Sequence, residues 1–323
     1  MNIVIGASGQ VGSAIVENLV SRNEPVKAII RNPDKRKELQ KLQNIVIETA
    51  DAFDLPALTK AFKNGSSVLL LTPDNPESND VMGETKTMLD NYKKAIEGSQ
   101  IKKIVGLSSM GAQIETSSGS LKMSYLLEHN FAELKVQKIF VRPAYYYSNW
   151  MESLSAIQEE GVLPTFFPVD LKIPMVSPLD VAKFLAALMS DTVESEPIFE
   201  VEGPAWYSSN DIANAFGKVL NRSVVPQQIP REDWWKTIKE FGFTDDVTKN
   251  FIEMTQTVVD GKAKPHGIAT ILKKVDTPFK TYLKEQLEKA LSEFRLSIAE
   301  PLYLTYSSFS EAYSRYNNGW TSP

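Results

Sequence analysis

Residues 1–22 read MNIVIGASGQVGSAIVENLVSR, and this stretch decides the fold. Asn2 to Ile5 is a short apolar run of strand character. Gln10 to Ser21 is a helix, with Val11, Ile15 and Leu19 at four-residue spacing. Between them Gly6, Gly9 and Gly12 are spaced GxxGxxG. Glycines there make a tight turn, bring backbone N–H groups close to a pyrophosphate, and let helix and strand pack closely. The helix N-terminus adds partial positive charge. Gly6, Ser8, Gly9, Gln10, Val11 and Gly12 are therefore expected to cradle a dinucleotide.

Downstream, apolar runs alternate with helical patterns. Val26 to Ile30, Ile45 to Glu48, Val68 to Thr72, Ile104 to Leu107 and Val136 to Val141 read as strands. Helices are expected from Pro33, from Asp54 to Phe62 and from Asp80 to Gly98. Strands apolar throughout, alternating with helices, predict an α/β fold: a Rossmann-type doubly wound parallel sheet. The dinucleotide-binding domain should cover 1–149. A smaller, mainly helical lobe should take 150–323, with about 174–201 returning to the first domain.

The end of the second strand normally selects the cofactor. A carboxylate there bonds the ribose of NAD, whereas an arginine accommodates the 2′-phosphate of NADP. Here Ile30 is followed by Arg31-Asn32-Pro33, so NADP(H) is expected, clamped by Arg31. Ser108 and Ser109 end the fifth strand, at the sheet edge where ligands bind; a hydroxyl there reads either as a contact to the nicotinamide or a substrate carbonyl, or as a cap of the loop.

Composition narrows the chemistry. The 323 residues carry no cysteine and two histidines, His129 and His266, so thiolate chemistry is excluded and no metal site is expected. A net charge of −5 gives no electrostatic reason to bind nucleic acid or an anionic membrane. Apolar runs are too short to span a bilayer and no signal peptide is visible, so a cytoplasmic protein acting on a small molecule is expected.

Several segments resemble the NmrA-like branch of the atypical short-chain dehydrogenase/reductases. They are GASGQVG at 6–12, Arg31-Asn32-Pro33, Asp51-Ala52-Phe53-Asp54, Leu71-Thr72-Pro73, Arg142-Pro143 with Tyr145-Tyr146-Tyr147-Ser148-Asn149, Val176 to Ala182, and Glu202-Gly203-Pro204. The resemblance covers most of 1–270 and stops near 275. It implies an NADP(H)-binding domain with a smaller lobe closing over the nicotinamide. It adds Asp51, Ala52, Leu71, Thr72, Pro73, Tyr146 and Asn149 to the expected cofactor contacts. Members of the family are either NADPH-dependent reductases of quinones and other unsaturated compounds, or nucleotide-sensing regulators.

No tyrosine is followed four residues later by the lysine of ordinary short-chain dehydrogenases; Tyr125 is followed by His129. Many NmrA-like members carry Lys or His four residues before a helix Glu. Here the Glu is Glu128 and the position holds Ser124, with Lys122 two residues further back. Glu128 itself reads as a solvated or structural residue. The catalytic set stays open, with Ser108, Ser124 and Tyr146 as candidates. Reduction of a quinone-like acceptor tolerates this, because the hydroquinone anion takes a proton from water. Tyr145, Tyr146, Tyr147 and Trp150 read either as a flat acceptor slot or as packing. An NADPH-dependent reductase is the leading expectation; a non-catalytic NADP(H)-sensing regulator is the alternative, with a homodimer or a regulatory partner protein open.

Thr277-Pro278 opens a last helix with the stripe Phe279, Leu283, Leu287, Leu291, Phe294 and Ile298, followed by Tyr303, Tyr306, Phe309, Tyr313, Tyr316 and Trp320. Such a face must be buried, and Trp234 to Phe243 or a second subunit is expected to cover it.

Overall fold

The computed structural model describes residues 1–297, except the side chains of Glu38 and of 293–297. The side chain of Phe294, and Ile298 with the aromatic tail beyond it, lie outside the described residues. The strands are β1 (Asn2–Ile5), β2 (Val26–Ile30), β3 (Ile45–Thr49), β4 (Ser67–Leu71), β5 (Lys103–Leu107), β6 (Gln137–Pro143), β7 (Tyr145–Tyr146), β8 (Val162–Thr165), β9 (Ile173–Val176), β10 (Ile198–Glu202), β11 (Trp206–Tyr207), β12 (Val225–Gln228) and β13 (Ile271–Lys274). The helices are α1 (Gln10–Ser21), α2 (Arg36–Leu39), α3 (Leu55–Ala61), α4 (Val81–Glu97), α5 (Leu121–His129), α6 (Leu154–Glu160), α7 (Pro178–Ser190), α8 (Ser209–Leu220), α9 (Trp234–Glu240), α10 (Asp245–Val259) and α11 (Phe279–Ser297).

The chain forms two compact units: 1–144 with 178–201 and 235–273, and 145–177 with 202–234 and the chain from 274. The first is built on a sheet of order β13-β10-β6-β5-β4-β1-β2-β3. From β10 to β3 every neighbouring pair is parallel. The order reverses between β1 and β4, which opens a crevice at the C-terminal ends of those strands.

Alternation along each strand sorts the core into two layers. Ile3, Ile5, Ile29, Val68, Leu70, Ile104 and Phe140 face one way, packed with Leu58, Phe62, Met88, Leu89, Tyr92, Ile96 and Leu127 of the α3–α5 side. Val4, Ala28, Ile30, Leu69 and Val105 alternate with them, are equally buried, and lie on the face that α1 and α7 cover by packing on one another. Strands buried on both faces read as continuous apolar runs, so this half was predictable.

The second unit holds two small sheets, β11-β9-β7 and β12-β8, with α6, α8 and α11. Its aromatic centre corrects one expectation. Phe279 and Tyr282 of α11 pack on Tyr147 at ring separations of 5.4 and 5.6 Å, and Phe279 lies 5.7 Å from Phe216 of α8. The covering surface is thus α8 with Tyr147 and Tyr207, not Trp234 to Phe243. Trp234 packs instead on Phe166, with Arg231 over its ring. Phe279, Tyr282, Leu283 and Leu287 are all buried, at the three- and four-residue spacing of one helix face.

Helix α10 was not expected from the sequence. Thr244 caps it, accepting from Val247 N–H at 3.2 Å, and Asp245 and Asp246 sit in its first turn. Removing the Phe279 ring should cost about 3–5 kcal/mol, as for other buried aromatics. Thermal melting of Phe279→Ala should show a midpoint several degrees lower; an unchanged midpoint would mean that α11 does not hold the second unit together.

Candidate functional site

The turn after β1 is shaped by backbone contacts. Gly6 has φ +65°, the left-handed region that favours glycine. Gly9 N–H donates to Gly6 O at 2.9 Å, and Ala7 N–H to Ile29 O at 3.0 Å. A Cβ on Gly12 would stand 2.0 Å from Gly6 O, so α1 starts directly on the turn and only glycine fits. A Cβ on Gly9 would meet only Gly6 O, at 3.3 Å. Gly12 is thus the packing glycine, and Gly9 borders open space at the helix end. No side chain caps α1, and its first turn has no acidic residue. The crevice therefore presents a helix N-terminus without a built-in anion, a fit for a pyrophosphate.

Arg31 follows β2, is exposed, and among the described residues makes no ion pair or hydrogen bond. Asn32 is spent on capping, accepting from Asp34 N–H at 2.9 Å. After β3, Asp51 accepts from Phe53 N–H at 2.8 Å, which fixes the turn that carries Ala52. Leu71 ends β4 and would lie 3.1 Å from a Cβ on Gly6; Thr72 is half-buried and Pro73 exposed beyond it. Gly6, Ser8, Gly9, Gln10, Val11, Gly12, Arg31, Asp51, Ala52, Leu71, Thr72 and Pro73 all lie at or just after the C-terminal ends of β1 to β4.

Beside them runs a row of buried charge. Leu107 of β5 pairs with Val141 of β6, which sets Ser108 at the level of Arg142, and Arg142 pairs with Glu200 of β10. Glu128 of α5 closes the row. Its Oε1 accepts from Arg142 Nε at 2.8 Å and from Ser108 Oγ at 2.5 Å, and its Oε2 accepts from Arg142 Nη2 at 2.6 Å. Arg142 Nη1 reaches Glu200 at 3.8 Å and Gln113 Oε1 at 3.4 Å. Glu200, fully buried, accepts from the backbone N–H groups of His266 and Gly267 and from Thr270 Oγ1 at 2.8, 3.1 and 2.9 Å.

Glu128 is therefore no solvated helix residue: its side chain is 3% exposed and Arg142's is 5%. Of the two readings of Glu128 the structural one holds; its partners went unnamed because a helix Glu shows none in its own segment. The usable signal was Arg142 and Glu200, charges inside apolar strands that must find counter-charges. Ser124 is buried one turn before Glu128 on the same face of α5. His129 stacks on Tyr125 at 4.0 Å, and its Nδ1 lies 2.7 Å from Tyr125 O.

In the second unit the aromatic run divides. Tyr147 is fully buried and donates to Thr277 O at 3.2 Å; Trp150 is buried and donates to Met175 Sδ at 3.3 Å. These two are packing residues, not walls of a slot. Tyr145 is half-buried and hydrogen-bonds the side chain of exposed Asn149. The Tyr146 hydroxyl is buried without a partner, and burial raises its pKa, keeping it a neutral phenol with an unspent O–H. Among the described residues no His/Asp/Glu group could hold a metal, and no helix is long and apolar enough to cross a membrane.

The profile of the NmrA-like family matches residues 2–311, well past residue 275 where the sequence resemblance was expected to stop. Quinone oxidoreductase 2 of Escherichia coli (strain K12) is 26% identical over 248 residues, 76% of this chain and 83% of that protein. Among solved structures, an Escherichia coli NADPH-dependent quinone oxidoreductase complexed with NADPH has a TM-score of 0.68 at 23% identity, covering 83% of this chain and 92% of that one. A Citrobacter sp. triphenylmethane reductase has a TM-score of 0.73 at 20% identity, covering 89% and 99%.

Breaking the charge row from one end should be costly. Glu128→Ala leaves Arg142 buried beside Glu200 alone, and removing one partner of a buried pair costs about 3–5 kcal/mol. Urea denaturation should show a clearly lower midpoint than for the unaltered protein; coincident curves would contradict the row's structural role.

Proposed function

The chain belongs to the NmrA-like family, and we propose that within it the chain is an NADPH-dependent reductase passing hydride to a quinone-like or other conjugated small molecule. The observation that carries this reading is the open start of α1 beside an exposed, unpaired Arg31. The two together suit a pyrophosphate followed by a ribose 2′-phosphate. The acceptor class draws on the relatives, two of which are named for quinones and one for triphenylmethane dyes.

In this reading Gly6, Ser8, Gly9, Gln10, Val11 and Gly12 hold the pyrophosphate, and Arg31 the 2′-phosphate. Asp51 and Ala52 flank the adenosine half, because β2 and β3 lie on one side of β1. Leu71, Thr72, Pro73 and Ser108 flank the nicotinamide half, because β4 and β5 lie on the other. Tyr146 and Asn149 offer further ligand contacts, an unspent phenol O–H and an exposed amide. When bound, NADPH supplies the hydride. The protein's part is to hold acceptor and cofactor in contact and to exclude water. Ser124, a hydroxyl where a stronger acid would serve, favours an acceptor whose reduced anion is protonated by water. The same Ser124 supports the second reading, a non-catalytic NADP(H)-sensing regulator.

Loss of NADPH absorbance against a panel of quinones, enones and azo dyes separates the two. Consumption with at least one acceptor supports the reductase; tight binding with no consumption by any supports the regulator. The unaltered protein should prefer NADPH to NADH by roughly ten- to hundredfold, the worth of one charge-assisted phosphate contact. Arg31→Ala should erase most of that preference with the fold intact, and equal affinity of the unaltered protein for both cofactors would sink the assignment. Calorimetric titration of folded Gly9→Val should show no NADPH binding, since its side chain enters the open space at the helix end. Tyr125→Phe should change benzoquinone turnover by less than about tenfold, below the loss typical of a general acid.

A further inference from the structure

Ser108 is bound into the buried charge row in a way that fixes what its hydroxyl can do. Arg142 is permanently protonated and gives two N–H bonds to Glu128, so Glu128 is held as a carboxylate, which accepts hydrogen bonds and donates none. The hydrogen in the 2.5 Å contact between Ser108 Oγ and Glu128 Oε1 therefore belongs to Ser108. Arg142 is itself restrained by Gln113 and Glu200, so the arrangement cannot relax by turning the guanidinium away. With its one hydrogen spent, Ser108 has only lone pairs to offer a ligand. While it donates to Glu128 it cannot donate to a substrate carbonyl.

The position of Ser108 says which group it meets. Arg31 lies at the end of β2, on one side of the β1 turn. Ser108 lies at the end of β5, on the other side beyond β4. A dinucleotide with its pyrophosphate at the turn and its 2′-phosphate at Arg31 runs its nicotinamide half toward Ser108. That half carries donors on its ribose, the two hydroxyls, and one on the nicotinamide ring itself, the carboxamide NH2; the ring is the part that lies farthest from the pyrophosphate turn and is the part assigned to Ser108. We infer that Ser108 accepts a hydrogen bond from the nicotinamide carboxamide, and that Glu128 and Arg142 are positioning residues that hold its hydroxyl as an acceptor. The inference rests on the NADPH reading above.

The test is a binding cycle that needs no turnover. Protein fluorescence is titrated with NADPH and with its reduced 3-acetylpyridine analogue, in which a methyl ketone replaces the carboxamide and removes the donor. The unaltered protein should bind NADPH about tenfold more tightly than the analogue, a difference of about 1.4 kcal/mol. Ser108→Ala should bind both within about twofold, and Ser108→Thr, which keeps the hydroxyl, should keep the preference. A merely structural serine would weaken both ligands together and leave the ratio alone. Equal affinities in the unaltered protein, or a preference that survives Ser108→Ala, overturn the inference while leaving the NADPH reading standing. Failure of the unaltered protein to bind NADPH overturns both.

Discussion

A carbonyl oxygen with no room above it sets the geometry of the first unit. Gly6 turns through the left-handed region, and its oxygen stands where any side chain at position 12 would begin. Helix α1 can therefore start immediately after β1, with its axis aimed at the sheet edge. The same closeness leaves its first turn without a side-chain cap or an acidic residue. An α-helix that ends this way retains unspent N–H groups and their partial charge. The packing that forms the fold and the electrostatics that make a site are one arrangement here, and Arg31 adds a full positive charge on the neighbouring strand.

A second arrangement stabilises the opposite side of the crevice. Three strands place Ser108, Arg142 and Glu200 side by side, and Glu128 joins them from a helix. Buried ion pairs seldom add net stability over a well-packed apolar set, because desolvation consumes much of the attraction. What this row provides is orientation. Each member has its remaining hydrogen-bonding capacity defined by its neighbours, down to the direction of one serine hydroxyl.

How much of this could be read from the sequence depends on whether a residue's partner is local. The strands β1, β2, β4 and β5 were legible because burial on both faces makes them almost wholly apolar, and the edge strand β3 and the middle of β6 because each still holds a short aliphatic or aromatic run. The loop at 6–12 was legible because a turn, a strand and a helix lie within one short window. Strands β8, β11 and β12 were not, being short and only partly buried. Helix α10 was missed although Thr244 and two aspartates mark its start. Its buried face carries Thr248, Thr255 and Thr257, whose hydroxyls bond back to the helix backbone and which no apolar periodicity reveals. Glu128 was left between a solvated and a structural reading for a related reason: its partners stand on other elements. In the run 145–150, buried Tyr147 and half-buried Tyr145 and Tyr146 are the same residue type; only the path of the chain separates them.

The first unit is not continuous in sequence. Its sheet receives β10 and β13 after the chain has left to build much of the second unit, and α7 returns to pack on α1. Arg142 and Glu128 emerge together during synthesis, but Glu200 follows much later, and the 266–270 backbone that satisfies Glu200 later still. On a ribosome the N-terminal strands and the phosphate turn can associate early, whereas β6 keeps an open edge until β10 arrives to cover it. An uncovered strand edge is a template for pairing with another chain. Nascent chains stalled between residues 144 and 198 accordingly present the edge of β6, and a chaperone that shields strand edges would cover it in that window.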